Sequence, residues 1–361
     1  MPPLPARRRH RVRPLSRRPL VSVVIPCFQY AAYVTQAVES ALSQRGVEVE
    51  VIVVDDCSTD GSPDVVAAIA AQDERVRLVR HTENLGAVRT FNDGLVHARG
   101  DYLVRLDADD ALTPGSLARA TAVAEAFPTV GLVYGHPLHF TGDRMPAARH
   151  RARRWIVWSG ARWLEERCRT GVNVITSPEV LLRRSVVDKV GGQRDLPHTH
   201  DMEMWLRVSA ISDVAYVQGA DQAWHREHAG SLSQSLDPTF GDLADRRDAF
   251  ETLFAWTASR LPETSRLRSL AARALADEAL RTIVHADDRG RLDADLRARY
   301  EDFAAEVDPG DGPLPHARAA ARVVDRGGQR PTPIQTLRAA VRRVQRDARE
   351  ARWHRTGVFT R

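Results

Sequence analysis

The ten residues Asp101 to Asp110 read Asp-Tyr-Leu-Val-Arg-Leu-Asp-Ala-Asp-Asp, and three of the last four are carboxylates. Tyr102, Leu103, Val104 and Leu106 are the aromatic, branched and aliphatic side chains of a mostly buried strand. Asp107, Asp109 and Asp110 crowd negative charge onto its C-terminal end, which repels unless something positive sits there. A divalent cation held by hard oxygen ligands is the usual remedy, and one with few protein ligands completes its shell with water and substrate phosphate. The bland alternative is a solvated acidic turn opening a helix at Thr113-Pro114, since Asp and Pro are ordinary cap and first-turn residues. Asp55-Asp56 repeats the pattern after a second apolar run, Val49 to Val54, and there too the acids could simply cap the next helix.

The elements that must position these acids alternate. Val21 to Ile25 is a first strand closed by Pro26, and Ala31 to Gln44 has helical spacing through Tyr33, Ala37, Val38, Ala41 and Leu42. After the Val49–Val54 strand, Cys57-Ser-Thr-Asp-Gly61 is a polar turn rich in capping residues before a helix from Pro63 to Ala71. Val76 to Val79 is a short strand, Asn84-Leu-Gly86 a turn, and a helix through Phe91, Leu95 and Ala98 leads into the carboxylate strand. This alternation predicts an α/β fold with a Rossmann-like, mostly parallel sheet covered by helices on both faces. In such sheets ligands bind beyond the carboxyl ends of the strands, so the acids of the two long strands should face one crevice.

The 361 residues leave room for one large α/β domain and a smaller appendage. Cys27, Cys57 and Cys168 are an odd count without metal-ligand spacing, which argues against a disulfide framework or zinc site. The chain holds no apolar run of transmembrane length, and its first residues lack the apolar core of a signal peptide. A cytoplasmic protein, soluble or peripheral on the inner face of the membrane, is expected. Residues 1–19 carry seven arginines and no acid, and 329–361 carry nine arginines against Asp347 and Glu350, so the formal charge of +5 resolves into +7 at each end and −9 for the body. An acidic body gives no reason to expect specific nucleic-acid binding.

Ser22-Val-Val-Ile-Pro-Cys-Phe28, Val53-Val-Asp-Asp-Cys-Ser-Thr-Asp-Gly61, Asn84-Leu-Gly86 with Asn92, and Leu106-Asp-Ala-Asp-Asp110 resemble the successive motifs of family 2 glycosyltransferases with the GT-A fold. His200-Asp-Met-Glu-Met-Trp-Leu-Arg207 is similar to that family's acidic motif, and Arg226-Glu-His228 with Ser231 and Ser233 to its closing segment. The resemblance covers roughly residues 20–235. It implies that Pro26 and Phe28 line a base pocket, that Asp56 reads the nucleobase, and that Asp107 faces the ribose and diphosphate. It places a Mn2+ or Mg2+ ion on Asp109, a general base at Asp201, Arg226 on the substrate side, and His228 as a further metal or diphosphate contact.

Such a site performs inverting transfer from a nucleotide-sugar donor, with UDP-sugars ahead of GDP- or dTDP-sugars, to a hydroxyl-bearing saccharide or lipid-linked acceptor. The resemblance also implies a place in cell-envelope polysaccharide biosynthesis. Transfer needs a base for the acceptor proton and a cation for the leaving diphosphate. Gln29 stands where the family commonly has Asn, and His200 where it has Glu. An imidazolium at His200 would lower the pKa of Asp201 and weaken it as a base, whereas a neutral ring would alter it less. Read from the residues alone, Asp201 is an N-cap ahead of a base, His198 and His200 are surface histidines ahead of metal ligands, and Trp155, Trp158 and Trp163 are core ahead of a sugar-stacking platform on the acceptor side. A nucleotidyltransferase and a nucleotide-sugar-binding scaffold without turnover are the rival readings.

The expected organisation is a disordered basic arm over residues 1–19, a GT-A domain over 20–235 split at residue 110 into nucleotide and acceptor halves, a helical region over 236–328, and a basic amphipathic tail over 329–361. The acceptor half includes a strand at Gly131–Tyr134, a basic loop from Asp143 to Arg154, and a helix stopped at Gly191-Gly192. Phe250, Leu253, Phe254, Leu267, Leu270, Ala274 and Ile283 are the candidate core of the helical region. In the tail, Ile334, Leu337, Val341 and Val344 form a stripe among arginines that could meet an anionic membrane, a partner helix or the acidic body.

Overall fold

The computed structural model describes residues 8–228, 240–323 and 331–356. These divide into two compact units, one of residues 8–164 and 174–228 with Thr356, the other of 165–173, 240–323 and 331–355.

The first unit is built on one sheet. Its strands are β1 (Arg8–His10), β2 (Leu20–Cys27), β3 (Glu48–Asp55), β4 (Val76–Arg80), β5 (Tyr102–Arg105), β6 (Ala111–Leu112), β7 (Val130–Thr141), β8 (Arg154–Trp158), β9 (Leu181–Arg183) and β10 (Asp213–Glu227). They run in the order β1-β8-β10-β7-β9-β5-β2-β3-β4, with β6 on β10. The stretch β5-β2-β3-β4 is parallel throughout and β7 is parallel to β10, while β9 bridges the two groups antiparallel to both neighbours. Parallel strands covered on both faces need apolar residues at nearly every position. β2 meets this with Val21, Val23, Val24 and Ile25, all fully buried. Its one polar residue, Ser22, donates to Glu50 on β3 (2.6 Å) and accepts from the Gly100 amide (2.7 Å).

Helices α1 (Val34–Leu42), α2 (Ser62–Ala70), α3 (Ala87–His97), α4 (Ser116–Ala126), the start of α5 (Gly160–Thr170), α6 (Arg184–Val190) and α7 (His200–Ile211) complete this unit. On α3, a Cβ at Gly94 would lie 2.3 Å from a Val24 methyl, so glycine is what lets this helix approach the central strand. The GT-A-type α/β architecture expected from the motifs is the one observed. The stretch expected to be a disordered arm contributes a strand instead: Arg8, Arg9 and His10 pair with Val157, Ile156 and Trp155 of β8, where backbone hydrogen bonds outweigh the charge of the arginines. Trp155 and Trp163 are buried, and Trp158 stacks on Tyr134, so the tryptophans pack the interior of the acceptor half.

The basic loop after β7 is tethered. Arg149 donates to Asp221 on β10 from its backbone (2.6 Å) and guanidinium (3.0 Å from Nε), and Asp221 also meets His136 (2.8 Å), the Asp221 and His136 side chains being almost wholly buried.

The second unit comprises the end of α5 with α8 (Phe240–Thr257), α9 (Thr264–Asp287), α10 (Ala294–Val307), α11 (Ala317–Ala321) and α12 (Pro333–Thr356, all but its last residue). Phe250, Leu253, Phe254, Leu267 and Ile283 form its core as expected, joined by Leu243, Leu275, Tyr300 and Phe303, while Leu270 and Ala274 are half-buried. Of the tail expected over 329–361, the described part is α12, which belongs to this helical unit. Gln335 Nε2 donates to Asp287 (2.7 Å), and Arg342 pairs with the buried Asp288.

Candidate active site

The site begins where β2 and β3 end. Pro26 pairs with Val54 and Cys27 with Asp55, so Phe28 and Asp56 leave adjacent strands on the same side of the sheet. Among the described residues, two that bear side chains adopt the left-handed conformation, Gln29 (φ 60°) and Cys57 (φ 62°), one in each of these exits. The loops are cross-linked: the Gln29 amide exchanges hydrogen bonds with Thr59 (3.0 Å each way), the Gln29 backbone donates to Ser58 (3.0 Å), Tyr30 to Ser62 (3.0 Å) and Ala31 to Asp60 (2.9 Å). The polar turn expected to cap α2 therefore spends most of its side chains on holding the first loop. Gln29 fits because its longer arm reaches Thr59. Pro26 is buried, and Phe28, at 44% exposed, presents its ring to solvent at the strand end.

Asp56 is buried and points into the Asn84–Gly86 turn. Its carboxylate accepts from the amides of Leu85 (2.8 Å) and Gly86 (2.9 Å) and meets His81 Nδ1 (2.8 Å). As a feature of the fold, it is the clasp of that turn.

β5 stops at Arg105, and the carboxylates come next, in the turn leading to β6. Arg105 is buried and donates to Asp107 (2.9 Å) and to Gln193 (2.7 Å). Burial pushes the Asp107 carboxyl up, but the Arg105 charge and hydrogen bond prevail and its pKa lies below the usual value. Asp109 moves the other way, raised by burial and by the charge of Asp107. Its Oδ2 lies 2.8 Å from His228 Nε2, and His228 is flanked by Tyr33 (rings 5.6 Å apart, stacked) and Tyr30 (6.0 Å, edge-on). Asp110, fully buried, accepts from the Arg226 amide (2.8 Å) and meets His225 Nδ1 (3.0 Å).

Arg226, expected to face the substrate, is instead a buried strut. Its guanidinium donates to the carbonyls of Asp109 (3.1 Å) and Gly142 and to Gln36 (2.6 Å), and lies over the rings of Tyr33 and Phe140. The reason is geometric: β10 ends beside the acidic turn, so its last inward side chain meets the back of that turn. Ser231 and Ser233 lie outside the described residues.

Asp201 sits in the first turn of α7, whose N-cap is Thr199, so it is not the capping residue. Its Oδ1 accepts from the Met202 amide (2.5 Å), and Ser177 Oγ lies 3.5 Å from Oδ2. Burial raises its pKa to about 6, and Arg105 and Asp107 act on it in opposite senses. His200 is buried, and burial with the Arg105 charge lowers its pKa to about 4, leaving the ring neutral near pH 7. The imidazolium that would weaken the base is thus absent. Glu203 is fully buried in an ion pair with Arg207 (2.5 Å) and offers no base.

Gln193 and Glu179 escaped the sequence reading, which marked Asn92 as a motif residue without its partner. Asn92 clasps the Gln193 backbone in both directions (2.8 and 2.9 Å), and a Cβ at Gly192 would lie 2.1 Å from Asn92 Oδ1. Gln193 then steadies Arg105, which steadies Asp107. Arg105 could have been noticed as a cation inside an apolar strand; Gln193 left no local sign. Glu179, pushed to about pKa 8 by burial, accepts from Thr176 backbone and hydroxyl (2.7 Å each) and so shapes the turn carrying Ser177.

Residues 22–191 match the family described as Glycosyl transferase family 2. Over 112 residues, 31% of this chain and 32% of the relative, the sequence is 43% identical to the succinoglycan biosynthesis protein ExoO of Rhizobium meliloti (strain 1021). The fold is similar to that of TarS 1-349 from S. aureus, solved in complex with UDP-GlcNAc (TM-score 0.56, 16% identity, 80% of this chain and 90% of that one). It is also similar to the mannosyltransferase PcManGT of Pyrobaculum calidifontis, solved with GDP-Man and Mn2+ (TM-score 0.50, 20% identity, 86% and 81%). The chain spans between about a quarter and two thirds of the length of the curated relatives it matches. Within those bounds, residues 22–191 are a glycosyl transferase family 2 domain, and the sheet that carries them has the GT-A fold.

Proposed function

We propose that the chain transfers a sugar from a nucleoside-diphosphate sugar to a hydroxyl acceptor with inversion, Asp201 acting as general base. The observation that carries this is Asp201 itself, a carboxylate with its pKa raised to about 6, beside a neutral His200 and within the field of Asp107. A base is most effective with a pKa near the working pH. Asp201 takes the acceptor proton, the acceptor oxygen bonds to the anomeric carbon from the face opposite the diphosphate, and the nucleoside diphosphate departs with the bonding pair. One displacement with one base inverts the centre.

Asp109 and His228 are the residues proposed to hold Mn2+ or Mg2+. The burial and the neighbouring Asp107 charge that raise Asp109, and the imidazole nitrogen 2.8 Å from its oxygen, fit a cation there. Among the described residues no group of three or more His, Cys, Asp or Glu side chains is arranged as a metal cage, so the remaining ligands would be water and phosphate oxygens. When bound, the ion supplies Lewis-acid neutralisation of the leaving diphosphate.

Phe28 and Pro26 are proposed to flank the base. Asp56 can still read it: a carboxylate has about four acceptor positions, and His81, Leu85 and Gly86 occupy three. Arg226 acts from behind, by fixing the Asp109 carbonyl. A UDP-sugar is the preferred donor. The acceptor is a saccharide or lipid-linked hydroxyl of cell-envelope polysaccharide assembly, a reading supported by the name of the ExoO relative, and the place of action is the inner membrane face.

The test is product analysis with a panel of nucleotide sugars and nucleoside triphosphates plus Mn2+. Release of nucleoside diphosphate is expected. Release of pyrophosphate would identify a nucleotidyltransferase, and binding without any release a scaffold.

A further inference from the structure

No helix among the described residues is long and apolar enough to cross a membrane. Helix α12 nevertheless has an arrangement that a water-facing helix avoids. An amphipathic helix on a folded body ordinarily turns its apolar stripe inward. Here the inward contacts are polar: Gln335, 5% exposed, donates to Asp287, and Arg342 pairs with Asp288. Ile334, Leu337, Val341 and Val344 are 64%, 63%, 46% and 67% exposed. Their spacing of three, four and three residues puts them on one face. Four of the nine exposed large hydrophobic side chains among the described residues therefore share one helix face, while the other five are scattered singly along the chain.

The charge around this face is one-sided. α12 carries seven arginines against Asp347 and Glu350. Arg338, Arg343 and Arg349 are exposed and have no acidic partner among the described residues. The apolar stripe spans eleven residues, fewer than two heptads, whereas a coiled-coil partner calls for three or four. A short apolar stripe with cationic surroundings and low net hydrophobicity is the composition of a helix lying in the headgroup layer. Arginines near an anionic leaflet add attraction that falls away within a Debye length.

We infer that α12 is a docking surface for an anionic lipid bilayer, its axis parallel to the membrane, with Ile334, Leu337, Val341 and Val344 immersed among the headgroups and the arginines on phosphate. This deepens the membrane part of the proposed function, yet it rests on α12 alone and holds whether or not the chain transfers sugar.

The experiment is co-sedimentation of the full chain with phosphatidylcholine vesicles, with and without phosphatidylglycerol, without donor or acceptor. Binding is expected to the anionic vesicles and to fall with added salt. The double change Leu337→Asp and Val341→Asp, at exposed positions where folding is not at stake, should weaken it roughly tenfold or more. Arg338→Gln with Arg349→Gln should weaken it too and flatten its salt dependence. Three results would each overturn the inference: no binding by the unaltered chain, equal binding to both vesicle types, or a solution dimer abolished by Leu337→Asp, which would make the stripe a contact between copies. Nucleoside diphosphate release from a soluble nucleotide sugar, measured on the same variants, should not change, so a failure here is separable from a failure of the glycosyl-transfer reading.

Discussion

Glu203 and Arg207 close a two-pronged ion pair one turn apart in α7, both side chains fully buried, and Arg207 continues to the carbonyls of Val190, Gly191 (3.3 Å) and Gly192 (2.8 Å). The start of α7, with Asp201, is thereby registered against the segment that grips Asn92 and Arg105. Glu203→Gln would leave a buried guanidinium short of its counter-charge, so unfolding free energy should drop by about 3–5 kcal/mol. Urea denaturation checks this, and a change within error would mean that α7 is held by its apolar face alone.

Asp201→Asn should behave oppositely. Thr199, not Asp201, occupies the N-cap, so stability should hardly move, and nucleotide affinity should stay near that of the unaltered protein. Turnover should fall by about 10² or more, the scale for removing a general base. Sugar transfer and nucleotide binding measured on one folded sample decide it. Near-normal transfer would remove Asp201 from the mechanism.

The same group sets a pH dependence. Burial raises the Asp201 pKa to about 6, and the base works only when deprotonated. The transfer rate should therefore be full above that value and fall as pH drops through it, approaching tenfold per unit. Asp201→Asn should flatten this acid limb. A limb that survives in the variant belongs to another group.

Asp109→Asn should abolish most of the Mn2+-dependent thermal stabilisation conferred by a nucleoside diphosphate, because a ligand that binds only the folded state raises stability through its affinity. The metal-independent part should persist. A full metal-dependent shift in the variant would move the cation away from Asp109.

At Asp56, exchange of one carboxylate oxygen for an amide nitrogen would oppose a donor to the Leu85 or Gly86 amide. Asp56→Asn should cost about 1–3 kcal/mol, the penalty for an unsatisfied buried group, and should weaken nucleotide binding as the turn loosens. Loss of binding at undiminished stability would point to direct recognition of the base without the clasp.

The parallel half of the sheet was legible because each strand there is buried on both faces and announces itself as an unbroken apolar run, as in Val49 to Val54. The acids at the strand ends were legible for the converse reason, charge coming directly after such a run. What escaped was whatever depends on meeting a distant residue. Nothing local marks Gln193 as the partner of Arg105, 88 residues away, or separates Arg226 the strut from Arg226 the substrate contact. The strand at Arg8–His10 was missed because a run of basic side chains is solvated at most positions, and only the open edge of β8 makes a strand of this one.

β10 holds its pairing with β7 from Val214 to Tyr216, loses it, and resumes at Asp221 opposite His136, with Gly219 at φ +98° between. Val217 and Gln218 stay paired with Trp155 and Arg154 of β8 across this gap, so Gly219 and Ala220 alone work as slack. A length change confined to them could be absorbed without disturbing the pairing from Asp221 onward, whereas one inserted after Ala223 would invert the alternation of faces. His225 and Arg226 would trade sides, and Asp110 would lose the imidazole it meets while the acidic turn lost its backing. Tolerance to insertion along this single strand should therefore change abruptly within a few residues, permissive at Gly219 and prohibitive at Trp224.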